Sequence, residues 1–210
     1  MSSLVNLFVM LFVVIDPIGL APMFVALTHG GSESYRRRMA FRGTVLAASV
    51  LVVFVLVGKA LLHALGIGLP AFRIAGGALL FLLAIDMVFA RQSGLRSTTE
   101  REQEEAEQRR DISVFPLAIP LIAGPGAITT ALLMSGSAGQ TVGGMLARLA
   151  VLFAVLLLAL GSLLVATRIM RFMGETGANM FTRVSGVILA ALAVQFILDG
   201  LVAGVVLHSR

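Results

Sequence analysis

The sequence contains no cysteine and no tryptophan, only one tyrosine, and few charges for its length. Of its 210 residues, 13% are charged and 58% are hydrophobic. The absence of cysteine excludes disulfide scaffolds and zinc sites with cysteine ligands. Because soluble domains usually carry about 25% charged residues, the scarcity of charge indicates an integral membrane protein.

Long apolar runs fill most of the chain. A helix of about 20 residues crosses the hydrocarbon core of a bilayer, and six runs have about this length. The N-terminal Met-Ser-Ser has no basic region, and the run that follows exceeds the apolar part of a signal peptide, so we expect the first helix to be retained. The predicted spans are residues 4–28, 45–65, 70–90, 114–134, 145–166 and 184–207.

The distribution of positive charge predicts the orientation. Lys and Arg in short loops are retained on the cytoplasmic side of a membrane. Twelve of the 16 cations lie in residues 29–44, 91–113 and 167–183, so we expect these loops in the cytoplasm and both termini outside. Since the cations separate apolar blocks and do not share one polar face, we expect no binding of nucleic acid.

The segment 91–113 is the one sizeable polar stretch, and it divides the chain into residues 1–90, a cytoplasmic linker and residues 114–210. Its Ser97-Thr98-Thr99-Glu100 start resembles a capping box. Opposite charges then recur at helical spacing. The linker is therefore predicted to form a short solvated helix, with partner docking as the alternative.

The two apolar blocks resemble each other. Each has an interruption by proline and glycine in its first helix and an Arg-x-x-Gly opening in its third. With three helices per block, the second block enters the membrane from the opposite side, as in the inverted repeats of many secondary transporters. The predicted fold is an all-α membrane protein with six transmembrane helices in two inverted three-helix repeats, with helices 1 and 4 broken. The matching features are Asp16-Pro17-Ile18-Gly19 with Gly124-Pro125-Gly126, and Arg73-Ile74-Ala75-Gly76 with Arg183-Val184-Ser185-Gly186.

Both interruptions fall near the middle of the bilayer. At about 1.5 Å per residue, Asp16 lies about 18 Å from the start of helix 1 and Gly124 about 15 Å from the start of helix 4, in a core about 30 Å thick. A helix that restarts at proline directs unsatisfied N–H groups toward the break. Asp16 can cap its own restart, whereas Gly124 and Gly126 leave their backbone open to a ligand.

We therefore predict a midplane site for a small zwitterion between the broken helices. The second break would bind the carboxylate, and Asp16 would face an ammonium group or a coupling proton or sodium ion. The competing interpretation is that both motifs are kinks that permit close packing. The predicted substrate-binding residues are Asp16, Pro17, Gly19, Gly124, Pro125, Gly126, Thr129, Thr130 and Gln195, and the predicted ion-coupling or gating residues are Asp16 and Asp86.

Other chemistries find less support in the sequence. Asp16, Asp86 and Asp199 lie in apolar segments, where acids are costly and usually functional. An intramembrane aspartyl protease would need two of them in contact, but Asp86 and Asp199 are predicted near opposite faces. The three histidines form no metal-ligand cluster, and no phosphate-binding glycine loop is present. We therefore predict no enzyme activity, no metal and no cofactor.

Taken together, these motifs resemble the MarC family of integral membrane proteins, sometimes grouped as neutral amino acid transporters. The resemblance implies a six-helix bacterial inner-membrane protein that moves small neutral amino acids, such as glycine or alanine, with an ion gradient. Family members often carry a polar residue such as Asn where Leu20 stands. Export of other metabolites or drugs, a structural or channel-like role, and a homo-oligomer all stay open. The matching stretches are residues 15–24, 73–77 with Ile85-Asp86, 115–129 and 183–196.

Overall fold

A computed structural model describes residues 2–89, 111–135 and 141–208. Within these ranges the chain is almost entirely helical and contains no strand. The helix predicted in the polar linker lies outside the described residues. The helices are α1 (Ser2–Ile15), α2 (Leu20–Leu27), α3 (Glu33–Ala64), α4 (Leu69–Phe89), the π-helical α5 (Ser113–Ile122), α6 (Pro125–Ser135), α7 (Val142–Leu164) and α8 (Ala166–His208).

Six membrane spans are predicted, and the apolar helices supply five or six candidates. In the described part of the chain, five segments are long and apolar enough to cross a bilayer, and α1 with α2 is one of them. The bent pair of α5 and α6, whose axes differ by 64°, would be the sixth. The chain is thus an all-helical protein with five or six candidate membrane spans.

Two of the predicted loops are largely helical. α3 begins at Glu33, not at residue 45, because Ser32 caps it by accepting the N–H of Tyr35 at 3.2 Å. α8 likewise covers the predicted loop 167–183 and departs from helical geometry at Gly174, where φ is 63°. Apolar runs identify only the part of a helix that faces lipid, and arginine-rich turns extend a helix beyond it.

The span predicted over residues 114–134 is broken before Pro125, as expected, but its first half is not a regular α-helix. Phe115 (φ −133°, ψ 129°) and Ile119 (φ −131°, ψ 123°) have extended backbone inside α5. Each precedes a proline, and the proline ring disfavours helical geometry in the residue before it. The chain therefore reaches Gly124 as an irregular segment and becomes a regular helix only at Pro125.

Close contact of backbones joins α4 and α8, which run antiparallel. A Cβ atom placed on Gly77 would lie 2.8 Å from the Ala193 carbonyl oxygen. One placed on Gly186 would lie 3.0 Å from the backbone nitrogen of Val88. Small residues at such crossings let helices pack by van der Waals contact where lipid supplies no hydrophobic drive.

Most of the remaining contacts between helices also cross between the two halves. α1 and α2 pack on α7, while α5 and α6 pack on α3. α2 also contacts α8, and α6 contacts α4. Each broken helix is thus supported by helices of the other half.

An ion pair fixes the entry to α5. Arg42 of α3 donates to Asp111 at 3.1 Å, and Asp111 accepts the N–H and the hydroxyl of Ser113 at 2.9 and 2.5 Å. The hydrogen bonds from Ser113, assisted by Arg42, lower the pKa of Asp111 below its ordinary value. Both charged side chains are about half exposed, so the pair orients the chain more than it stabilises the fold.

We expect Gly77→Ala to destabilise the protein by about 1–3 kcal/mol, because the added methyl group forces two backbones apart. Gly161→Ala in α7 is the matched control, since a Cβ there meets nothing within 4 Å, and it should be neutral or stabilising. Thermal unfolding in detergent measures both. Equal effects of the two substitutions would contradict the packing described.

Asp111 should make the stability depend on pH. Because its folded-state pKa is lowered, its contribution is present above the unfolded-state pKa and disappears as the pH falls through the folded-state value. The difference in unfolding temperature between the wild type and Asp111→Asn should therefore be present at neutral pH and shrink in acid. A difference that stays constant down to about pH 3 would show that the carboxylate charge contributes nothing.

Candidate functional site

The break in the first span is centred on Asp16. Its backbone has a φ of 49°, a left-handed conformation that Asp tolerates better than most residues, and its side chain is 1% exposed. The carboxylate accepts the N–H of Gly19 at 3.1 Å. Asp16 thus caps the turn that leads into α2, as predicted, although α2 begins at Leu20 and not directly at Pro17.

Two helices of the second half bind this break. The hydroxyl of Thr182 in α8 donates to the other carboxylate oxygen of Asp16 at 3.1 Å. The hydroxyl of Ser162 in α7 donates to the carbonyl oxygen of Pro17. Neither residue was predicted from the sequence. The one signal for Ser162 was a single hydroxyl in an apolar run, and Thr182 is next to Arg183, which was counted only as a cation that predicts orientation.

Gly19 makes room for this cluster. Its φ of −67° suits any residue, so conformational freedom is not what glycine supplies here. A Cβ atom would overlap the Asp16 carboxylate and lie 2.6 Å from the hydroxyl oxygen of Thr182. The absence of a side chain at this position therefore allows Asp16 to reach α8.

The second break begins α6 at Pro125, as predicted for a helix restart. It borders a small apolar cavity of about 10 Å³, which is room for about one water molecule. A Cβ atom on Gly126 would lie 3.0 Å from side-chain atoms of Val14, Leu80 and Leu83. The cavity is lined by Val14, Leu79, Leu83, Leu121, Ile122, Gly124, Pro125, Gly126 and Ala127.

The structure therefore brings the two breaks together. Val14 stands two residues before Asp16 and contacts Gly126, which faces the middle of α4. The carboxylate of Asp16 is not part of the cavity wall. Its partner helices place it toward the end of the bundle where α7 terminates, because Ser162 lies in the last turn of α7.

The two predicted threonines serve packing. Thr130 donates its hydroxyl to the Gly126 carbonyl of its own helix at 2.9 Å, a common use of threonine inside helices. The methyl group of Thr129 faces Gly76 on α4, where no Cβ would fit. Neither residue lines the cavity, so a direct role of their hydroxyls in binding a ligand stays a prediction.

The remaining predicted polar residues lie elsewhere. Gln195 is exposed on α8 and donates to Asp199 at 2.7 Å. Asp86 is half-buried near the end of α4, whereas Asp199 adjoins Gly200, which faces Pro70 at the start of α4. About 16 residues of helix, or about 24 Å, separate these two levels, so Asp86 and Asp199 form no catalytic pair.

Gly19→Ala should destabilise the protein by about 1–3 kcal/mol, because the methyl group displaces the buried carboxylate from its hydrogen-bond partners. Thr182→Val removes the same hydrogen bond without a steric conflict and should have a similar but smaller effect. Thermal unfolding compares both with Gly143→Ala, where a Cβ meets nothing within 4 Å. If Gly19→Ala behaves like Gly143→Ala, the cluster around Asp16 is not formed as described.

The sequence is similar to known membrane proteins over nearly its whole length. The MarC family of integral membrane proteins matches residues 1–205. A UPF0056 membrane protein of Archaeoglobus fulgidus is 37% identical over 92% of this chain and 90% of its own length. The UPF0056 membrane protein YvbG of Bacillus subtilis is 36% identical over 95% and 94%, and the UPF0056 inner membrane protein YhgN of Escherichia coli is 33% identical over 96% and 97%.

No solved structure matches the chain, so the family assignment rests on sequence. The match to the MarC family covers nearly the whole chain, and these three relatives align over nine-tenths of their own length or more. The chain belongs to the MarC family of integral membrane proteins.

Proposed function

We propose that the chain is a secondary transporter that moves small neutral amino acids across the membrane with an ion gradient. The observation that carries this proposal is the meeting of two broken helices from opposite halves, at the contact of Val14 with Gly126. Broken helices of this kind form the substrate and ion sites of many secondary transporters. The family resemblance supplies the substrate class.

The arrangement of contacts supports two inverted repeats. If α1 to α4 correspond to α5 to α8, each contact between α7 and the first broken helix has a counterpart between α3 and the second. The contact of α2 with α8 pairs in the same way with that of α6 with α4. The antiparallel pair of α4 and α8 then lies on the axis that relates the halves. In many secondary transporters with this arrangement, alternating access occurs by movement of one half against the other.

The chemistry of the breaks suits a small zwitterion. The first turn of α6 presents backbone N–H groups without intrahelical partners, and Gly124 and Gly126 keep that backbone free of side chains. The positive end of the helix dipole favours a carboxylate there. The apolar wall of the cavity, which includes Leu83 and Leu121, would favour a short aliphatic side chain over a charged one.

Asp16 is the residue that we assign to the cation. Its carboxylate is bound by the N–H of Gly19 and the hydroxyl of Thr182. An ammonium group, a proton or a sodium ion would compete with Thr182 for the same oxygen. Binding would then loosen the link between the first broken helix and α8, which couples occupancy to movement of the halves.

The proposed orientation places both termini outside and the arginine-rich segments in the cytoplasm. In support of this orientation, Arg36, Arg37 and Arg38 lie in the first turns of α3, and Arg168 and Arg171 precede the break at Gly174. An inner-membrane location agrees with the printed name of the Escherichia coli relative. On this topology the Asp16 carboxylate is displaced from the midplane toward the cytoplasm.

Transport by the purified protein in proteoliposomes tests the proposal. Labelled glycine and alanine, with proton and sodium gradients imposed separately, should accumulate in a saturable manner that an ionophore abolishes. Asp16→Asn should lower the rate by about tenfold or more, because it removes the charge that attracts the cation. Gly126→Leu should also abolish uptake by filling the cavity.

Gly161→Leu is the matched control for the second substitution, because position 161 is exposed and open. It should transport at the wild-type rate. Normal transport by folded Asp16→Asn and Gly126→Leu would show that the site lies elsewhere. The absence of gradient-driven movement of any small amino acid would remove the transporter assignment.

A further inference from the structure

The outward face of α8 carries two polar side chains in an otherwise apolar surface. Exposed apolar residues line this face, among them Ile188, Leu198 and Val202. Between them lie Gln195 and Asp199, both exposed. One N–H of the Gln195 amide donates to the Asp199 carboxylate at 2.7 Å.

These polar groups lie at the depth of the hydrocarbon. The apolar part of α8 is Thr176–Val205, whose middle is close to Ala191. At about 1.5 Å per residue, Gln195 lies about 6 Å and Asp199 about 12 Å from that middle. The half-thickness of the hydrocarbon core is about 15 Å. A single copy of the chain would therefore present an amide and a carboxylate to lipid.

Such an arrangement is costly for a single copy. Ionisable side chains inside a membrane nearly always face protein or a water-filled cavity. The bond between Gln195 and Asp199 leaves the second N–H and the carbonyl oxygen of the amide without a partner among the described residues. Unpaired polar groups in an apolar environment lose their hydration without compensation, so this face needs a protein neighbour.

We propose that the α8 face around Gln195 and Asp199 is the interface between two copies of this chain. The polar pair is self-complementary: a two-fold axis along the membrane normal brings the free N–H of each Gln195 within reach of the other copy's carboxylate. Each carboxylate then accepts from two amides. The same surface on both partners is the usual geometry of a two-fold dimer.

The shape of the face suits close approach of two helices. Ala191 is exposed at the middle of the apolar stretch, and small residues at a crossing point let membrane helices come together. Leu198 and Val202 continue the contact about two and three turns beyond Ala191. This inference does not depend on the proposed transport function, because it rests only on the exposed face of α8.

Disulfide cross-linking tests the interface, and the natural absence of cysteine makes every introduced thiol unique. Leu198→Cys and Val202→Cys place a thiol on the face, while Val53→Cys in α3 and Leu157→Cys in α7 place one at other exposed apolar positions. A disulfide needs Cα atoms about 4.4–6.8 Å apart. Oxidation of the purified protein in proteoliposomes should give a covalent dimer from the two α8 variants alone.

Because the protein is purified, a covalent dimer can form only between two copies of this chain and not with a different membrane protein. No dimer from the α8 variants, or equal yields from all four positions, would overturn the proposal. In the Leu198→Cys background, Gln195→Leu should weaken dimerisation by about tenfold, because two symmetric hydrogen bonds are lost. Asp199→Asn keeps the size of the side chain and should weaken it less. An unchanged dimer yield in both variants would exclude the polar pair as the contact.

Discussion

Backbone polar groups in a membrane must find partners inside the protein, and the rest of this structure follows from that requirement. In the described residues, the regular helices are interrupted within apolar segments at Asp16, Phe115, Ile119 and Gly124. At the first break, Asp16 supplies an acceptor for Gly19 and Ser162 supplies a donor for Pro17. An irregular backbone is thereby kept in protein and away from lipid.

The way in which the breaks are enclosed also explains the packing. Polar partners come from α7 and α8, so the first span must lie against the second half. Glycines then set how close the helices come, as Gly19 does beside Thr182 and Gly77 does beside Ala193. In a medium that provides no hydrophobic drive, such short contacts and hydrogen bonds hold the bundle together.

Much of the fold could be predicted from the sequence because lipid imposes a simple composition rule. The apolar runs gave α4 and α7 within three residues at either end, and Asp16 and Pro125 marked both breaks. The rule concerns only apolar residues and does not predict helix in arginine-rich turns, so the start of α3 at Glu33 was missed. It also treats proline as a local kink, whereas the two residues before prolines in α5, Phe115 and Ile119, have extended backbone.

The candidate site was predictable in its backbone and not in its partners. Asp16, Gly124 and Gly126 lie in motifs that can be recognised in the sequence. Ser162 and Thr182 are identified only from the packing of α7 and α8 on the first span. Gln195 was predicted as a ligand from its depth alone, and the sequence did not indicate that its position around the α8 axis turns it outward. The depth of a residue in the membrane follows from its position along the helix. The direction in which its side chain points depends on the helices that pack beside it.

The partners of the first break have a consequence for the order in which the chain folds. Asp16 is bound by a residue 166 positions later, and Pro17 by one 145 positions later. During synthesis the first span therefore enters the bilayer well before Ser162 and Thr182 exist. The carboxylate of Asp16 must stay hydrated, or bound to something else, until the last helix arrives. The environment of Asp16 is thus completed only when α8 packs on the first span.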